Sequence, residues 1–360
     1  MRRRTRGEDD RRLLQRTAPL HGRRALLGRS AAAAATAIAG VTLGQQRSVA
    51  AAGAYPSGGF VDVRDFGAVG DGTVDDTAAI QAAIDSLRTD GRVGGGITFP
   101  PGDYRLTDWI RVDYGTTLQG VNAALSRLVM TGGAPKDLVV GAGGFPAYAL
   151  LRDLTLDGGL ESQRAADVPT GNGTCRVVGP LAAGVPVDEI QISGSTCPIG
   201  IGDVLRTAGQ PPIVVISGPG LGAGEDGRVR VCGWAPSTAV PENGARWHVY
   251  REGSLVRGIG RLTVERCLLM RAKRHAIELQ SSTQGNISAC EIGNNQGAGL
   301  FSWASTDYTL SRTWTYRNGG PDVFTYAGAD IRISDCILEG SASTSITAHY
   351  SDLDVRTTGI

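Results

Sequence analysis

Residues 261–283 read RLTVERCLLMRAKRHAIELQSST, 284–306 QGNISACEIGNNQGAGLFSWAST, 307–329 DYTLSRTWTYRNGGPDVFTYAGA and 330–352 DIRISDCILEGSASTSITAHYSD. Set one under another, the four lines align at a step of 23 residues. Cys267, Cys290 and Cys336 share a column with Thr313. Three residues before it stand Val264, Ile287, Leu310 and Ile333, and ten after it stand Ile277, Leu300, Val323 and Ile346. A third column, two residues after the marker, holds Leu269, Ile292, Thr315 and Leu338. A period of this length marks an array of supersecondary units. Short alternating runs broken by Gly, Asn and Ser are a strand pattern. One such unit cannot bury its own apolar face, so units must stack. Stacking strands in register at ~4.8 Å per rung gives a parallel β-helix. Leucine-rich repeats compete, but their L-x-x-L-x-L pattern and asparagine are missing. The cysteine column reads as a ladder of small interior residues. A Cys267–Cys290 disulfide stays open as the alternative, although parallel side chains suit that bond poorly.

Working outward, 52 of the 360 residues are glycine, about twice the usual ~7%. Only 6% are aromatic, as expected of a chain with many turns. Residues 1–54 hold eleven arginines and three acids; the remainder carries 25 basic and 32 acidic residues, a net of −7. Such a body offers no basic footprint for nucleic acid. No stretch of 18 apolar residues follows residue 50, so the mature chain is read as having no integral membrane segment. Arg23-Arg24 precedes Ala25-Leu26-Leu27, a mild apolar run over 31–44 and Ala52-Gly53-Ala54. This arrangement resembles a twin-arginine export signal with an A-x-A cleavage site. The expected localisation is therefore secreted or extracytoplasmic. The alternative is a basic tail beside an Ala-rich helix.

Residues 60–102 read FVDVRDFGAVGDGTVDDTAAIQAAIDSLRTDGRVGGGITFPPG. Gly70-Asp71-Gly72 predicts a tight turn. Asp75 and Asp76 are read as N-caps of a helix at about 77–88, not as a catalytic pair. Ile80, Ala83, Ile84 and Leu87 give that helix one apolar stripe. A helix laid over the end of a stack shields its strand edge.

Asp65-Phe66-Gly67-Ala68, Gly70-Asp71-Gly72, Asp75-Asp76-Thr77, Ala79-Ile80-Gln81, Ala83-Ile84 and Pro100-Pro101-Gly102-Asp103-Tyr104 resemble the start of the pectate-lyase superfamily, in its rhamnogalacturonase/epimerase-like branch. Leu118-Gln119-Gly120 and Leu154-Thr155-Leu156-Asp157-Gly158 continue the likeness. The resemblance implies a right-handed coil and, commonly, action on acidic or neutral polysaccharide. The Asn-Thr-Asp, Asp-Asp, Gly-His-Gly and Arg-Ile-Lys signatures of the galacturonase hydrolases are missing; Arg332-Ile333-Ser334 lacks the lysine. No cofactor is evident from the residues, and Ca2+ enters by the resemblance alone.

The expected fold is all-β: a right-handed single-stranded parallel β-helix with a short N-terminal capping helix and a small β-rich insertion. Its parts are the signal region 1–54, the cap and first coils 55–180, the insertion 181–256 and the 23-residue coils 257–360. Cys197 and Cys232 are candidates for a bridge within the insertion, which either shapes a cleft, meets a partner or is passive.

If Ile277 and its column point inward, their neighbours point outward. One outward column is Glu278, Phe301, Phe324 and Thr347; another is Gln280, Trp303, Tyr326 and His349. Aromatic residues clustered on an exposed face need a reason. Phe301, Trp303, Phe324, Tyr326 and His349 are therefore candidate saccharide contacts. The alternative is a patch covered by the insertion, a loop or a second subunit. Glu278 and Asp322 lie two rungs apart, roughly 10 Å, and are candidate hydrolytic carboxyls. His275, clustered with Arg271, Lys273 and Arg274, is a candidate base for elimination or epimerisation. Two function classes follow: an exported lyase or glycoside hydrolase acting on a polysaccharide along the coil flank, or a non-catalytic carbohydrate-binding or adhesin-like, tail-spike-like β-helix. The partner is a polysaccharide in either case, and oligomerisation stays open.

Overall fold

A computed structural model describes residues 59–356, apart from 90–91, 94, 133–134, 142–147, 161–170, 340–344, 350 and 352. The predicted signal region falls outside these residues. Three parallel sheets of nine, eight and seven strands form the walls of a β-helix. Each coil contributes one strand to each wall. Arg261–Glu265 lies in the first sheet, Leu268–Met270 in the second and Ile277–Gln280 in the third. Thr283–Ser288 then returns to the first sheet.

The 23-residue step is the hydrogen-bond register itself. Val264 lies beside Ile287, Ile287 beside Leu310 and Leu310 beside Ile333. Ile277, Leu300, Val323 and Ile346 line up in the same way on the third sheet. These side chains, together with Leu269 and Ile292, fill the coil interior.

Corners recur at the same period. Arg266, Ala289, Arg312 and Asp335 all adopt the left-handed region, with φ of 50°, 53°, 48° and 55°. The marker residue follows immediately. The Cys290 and Cys336 thiols each donate to the carbonyl two residues back at 3.2 Å, Cys267 does so at 3.4 Å, and the Thr313 hydroxyl at 2.9 Å. Threonine thus fills the gap in the cysteine column because the column needs a small donor. All three thiols are free, as the ladder reading expects.

The N-terminal end is closed by a helix at Thr77–Ser86, whose Ile80, Ala83 and Ile84 are fully buried. The caps differ from expectation. Asp75 accepts from the Thr77 amide (3.1 Å) and hydroxyl (2.6 Å). Asp76 occupies the N-cap position, but its carboxylate instead accepts from the amides of Val69 and Gly70 (2.7 and 3.2 Å). It braces the Gly70 turn, where φ is +68° and an added Cβ would meet the Tyr104 ring at 2.9 Å.

The insertion is a closed six-stranded antiparallel barrel. Its first strand is Gly173–Val178, ahead of the expected boundary at 181, and its last is Ala245–Tyr250. Its own core holds Trp234 and Trp247 in an edge-to-face pair at 5.7 Å. The coil closes beneath it: Tyr148–Arg152 pairs directly with Arg261–Glu265. Cys197 and Cys232 are not joined by a disulfide, which corrects the candidate bridge. Cys197 packs against the barrel core, whereas Cys232 faces the coil with its sulfur 3.4 Å from Thr347 Oγ1. They belong to different sides of the barrel wall.

The corners lead to a stability prediction. Ala304 is exposed at φ +49°. An L side chain there costs ~1–2 kcal/mol, partly offset by glycine's greater unfolded-chain freedom. Ala304→Gly is expected to raise the unfolding free energy by about 0.5–1 kcal/mol, read from denaturant melts.

Candidate functional site

The third sheet alternates as anticipated. Ile277, Leu300 and Val323 point into the coil, and Glu278, Phe301 and Phe324 point out of it. The outward residues nevertheless do not line an open groove. Glu278 and Phe324 are 0% exposed and Phe301 is 1% exposed. The barrel wall of Val204, Val214, Ile216, Cys232 and Tyr250 packs over the two phenylalanines. The His275 and Phe301 rings stack at 4.5 Å, and Phe301 stacks on Phe324 at 4.8 Å, one rung further. This corrects the expectation of Phe301 and Phe324 as saccharide contacts: the aromatic column is a docking surface for the barrel. Strand alternation shows which way a side chain leaves the coil. It does not show what lies above it.

Two of the three predicted catalytic groups, Glu278 and His275, are sealed in the same seam, and the third, Asp322, is buried among residues of the coil itself. Glu278 Oε2 accepts from Arg274 Nη1 (2.6 Å) and from the Ser254 hydroxyl (2.9 Å). Its Oε1 accepts from Gln280 Nε2 (2.7 Å) and lies 3.5 Å from Arg257 Nε. His275 uses both ring nitrogens: Nδ1 accepts from the Ala298 amide at 2.9 Å, so Nε2 carries the proton toward the Gly202 carbonyl at 2.7 Å. Burial, reinforced by the Arg274 charge, holds its pKa well below the ordinary imidazole value. Asp322, fully buried, accepts from Asn318 Nδ2 at 3.0 Å, and burial raises its pKa. Glu278, Asp322 and His275 therefore have no access to a polymer at the surface.

Gly202 is the hinge of this contact. Its φ is +85°, and an added Cβ would sit 2.7 Å from Arg274 Nη2. Its carbonyl also accepts from Arg274 Nε at 2.8 Å. Asp203, beside it, lies 3.4 Å from Arg274 Nη2; burial raises its carboxyl pKa, opposed by that guanidinium. The expected basic cluster is dispersed. Arg271 pairs with Asp157, and Lys273 donates to the Gly132 carbonyl at 3.0 Å.

What remains open on this flank is a cationic and aromatic strip. The Arg257 and Arg251 side chains are 30% and 45% exposed, while their partners Asp137 and Asp203 are each 5% exposed. Both arginine side chains are partly exposed, while the carboxylates they pair with are buried. Trp303 is 37% exposed, with half-buried Tyr326 beside it in register. His349 continues that register; its side chain is outside the described residues. Nothing in the spacing of residues pointed to Arg251 and Arg257, because their partners are far away along the chain: Asp137 is 120 residues from Arg257. Among the described residues, no group of three or more Asp, Glu, His or Cys donors is arranged as a metal site.

Two family models match the chain. "Rhamnogalacturonase A/epimerase, pectate lyase-like" covers residues 60–146, and "right handed beta helix region" covers residues 248–358. The chain belongs to the pectate-lyase-like right-handed β-helix family. Over 46 residues, 13% of this chain, it is 56% identical to mannuronan C5-epimerase AlgE1 of Azotobacter vinelandii, covering 3% of that protein. A 46-residue match at 54% identity covers 5% of alginate lyase 7 from the same organism. These matches span only a few per cent of the relatives' length. Among solved structures, ORF18 of Geobacillus virus E2 is similar over 83% of this chain and 49% of that one, with 12% identity and a TM-score of 0.49. The A-module of A. vinelandii mannuronan C-5 epimerase AlgE4 is similar over 84% and 96%, with 16% identity and a TM-score of 0.33.

Two outcomes test the seam as structure. Glu278→Ala strands the buried Arg274 charge and is expected to cost about 3–5 kcal/mol of stability in denaturant melts. His275 stays neutral in the folded protein, whereas the unfolded chain takes up its proton near pH 6.5. The stability it contributes is thus complete above that pH. It falls as pH drops further, by up to ~1.4 kcal/mol per pH unit. Melts of His275→Gln from pH 7.5 to 5 are expected to show a shallower decline than the parent.

Proposed function

We propose that this is an exported protein that holds an acidic polysaccharide along the open part of its third-sheet flank. The observation that carries the reading is the uneven burial of charge beside the aromatic strip. Arg251 and Arg257 are partly exposed, whereas their carboxylate partners Asp203 and Asp137 are buried. A planar guanidinium matches a carboxylate bidentately. Trp303, two rungs beyond Arg257 and so roughly 10 Å along the axis, offers an apolar face for a sugar ring. The relatives named for mannuronan and alginate support a polyuronate as the first polymer to try. Export rests on the Arg23-Arg24 pair and the apolar run that follows it.

A second reading, an enzyme that modifies the polymer by elimination, epimerisation or hydrolysis, is favoured by the similarity to mannuronan epimerases and an alginate lyase. In that reading the reacting groups are other than Glu278, Asp322 and His275, all three of which are buried.

Affinity electrophoresis through alginate, polygalacturonate and a neutral glucan separates these readings when combined with ultraviolet absorbance of unsaturated uronate, reducing ends and proton NMR of the treated polymer. Retention in a polyuronate gel, relieved by added salt, is the expected result. Trp303→Ala is expected to weaken that retention about tenfold. New chain ends or altered uronates would establish the enzymatic reading. Equal mobility in all gels for both proteins would overturn the binding reading.

A further inference from the structure

Beside the cap helix lies a concavity of about 500 Å³, within the ~300–1,000 Å³ usual for small-ligand sites. Trp109, 39% exposed, forms one side of it; Asp75, Gln81, Arg88, Asp108 and Arg111 are among the groups around it. The predicted chemistry of the third-sheet flank does not use any of them.

The pocket is held from both sides. Thr107 ties the loop before Trp109 to the helix start: its hydroxyl donates to Asp75 Oδ2 at 2.6 Å and its amide to Thr77 Oγ1 at 3.0 Å. Gln81 Oε1 accepts from the Arg111 amide at 2.8 Å, joining the helix to the first strand of the third sheet. Asp108 Oδ1 accepts from the Trp109 amide at 2.8 Å and pairs with Lys136 at 3.0 Å. The short loop that carries Trp109 is thus tied to the helix and to the strand on either side of it, the arrangement that keeps a binding geometry in place.

We infer that this pocket is a subsite for one neutral pyranose ring. An indole beside a hollow lined with carboxylates, an amide and guanidiniums suits a ring with apolar C–H faces and a rim of hydroxyls. Carboxylates accept hydroxyl protons, and guanidiniums and the amide donate back. The charge balance selects the sugar. Three carboxylates (Asp75, Asp85, Asp108) line the pocket; Asp85 is paired with Arg88 at 3.1 Å and Asp108 with Lys136 at 3.0 Å, which leaves Asp75 balanced by Arg111 and no net charge to draw in a uronate. Burial works against the charged form of Asp75, but the hydroxyls of Thr107 and Thr77 outweigh it and keep the carboxyl below its usual range. Lys136 does the same for Asp108. Both stay ionised at neutral pH and accept hydroxyl protons of a neutral sugar.

This subsite rests on the reading of the protein as carbohydrate-binding, but not on the acidic strip. The test is calorimetric titration of the full chain with four neutral hexaoses (cello-, malto-, laminari- and xylohexaose) and with hexamannuronate. At least one neutral hexaose is expected to bind, with Trp109→Ala weakening it tenfold or more and Trp109→Phe, which keeps an aromatic face, by less than threefold. Trp303→Ala is expected to leave it unchanged. Thermal melts matched to the parent confirm that each variant folds. Absence of binding by all four neutral hexaoses, or an affinity indifferent to Trp109→Ala, overturns the subsite, as does hexamannuronate being the ligand lost. Neutral binding that depends on Trp109 without any polyuronate retention would leave the subsite standing and remove the acidic strip.

Discussion

Each rung of this molecule must present its neighbour with the same backbone in the same register, because the inter-rung hydrogen bonds satisfy amides and carbonyls that the coil would otherwise bury unpaired. Everything else follows that constraint. Aliphatic residues recur at positions 23 apart because the interior is a set of ladders. Left-handed corners recur for the same reason, even where the residue is Arg or Ala and the conformation is costly. A donor after the first corner recurs as Cys, Cys, Thr and Cys, with the hydroxyl replacing the thiol where needed.

A stack of strands has an open end and flat outer walls, and both are managed by added elements. The cap helix covers the first rung with Ile80, Ala83 and Ile84. The barrel covers the Phe301–Phe324 column and carries its own separate core. Between barrel and coil runs a buried polar seam built on Arg274, Glu278, Asp203 and His275. Burying such groups is expensive, and their hydrogen bonds recover the cost only at one geometry. An apolar wall alone would let the barrel slide along the coil. The bonds from Arg274 and His275 to the single Gly202 carbonyl fix its position.

Covering one part of the flank defines what the rest presents. The acids of the seam are drawn under the barrel while Arg251 and Arg257 stay at its margin, so a chain that is net acidic after residue 54 shows cations locally. The uncovered tryptophans on this side, Trp303 beyond the barrel's contact and Trp109 at the cap, lie at different places along the coil and in different electrostatic settings.

The period, the direction of each side chain and the capping helix were legible in the sequence, because they depend on neighbours one rung or one helical turn away. Leu269, Ile292, Phe301 and Asp76 could each be assigned a side or an end from spacing alone. The fate of the outward face was not legible. Whether Glu278 and Phe301 met water depended on Tyr250, Val214 and Gly202, residues of an insertion that shares no period with the coil. The same holds for Arg257, whose partner Asp137 comes from across the insertion, and for the pocket at Trp109, assembled from helix and strand positions some 30 residues apart. Local repetition sets the ladder. Only the folding of a non-repeating segment onto it decided which rungs were closed and which were left for a ligand.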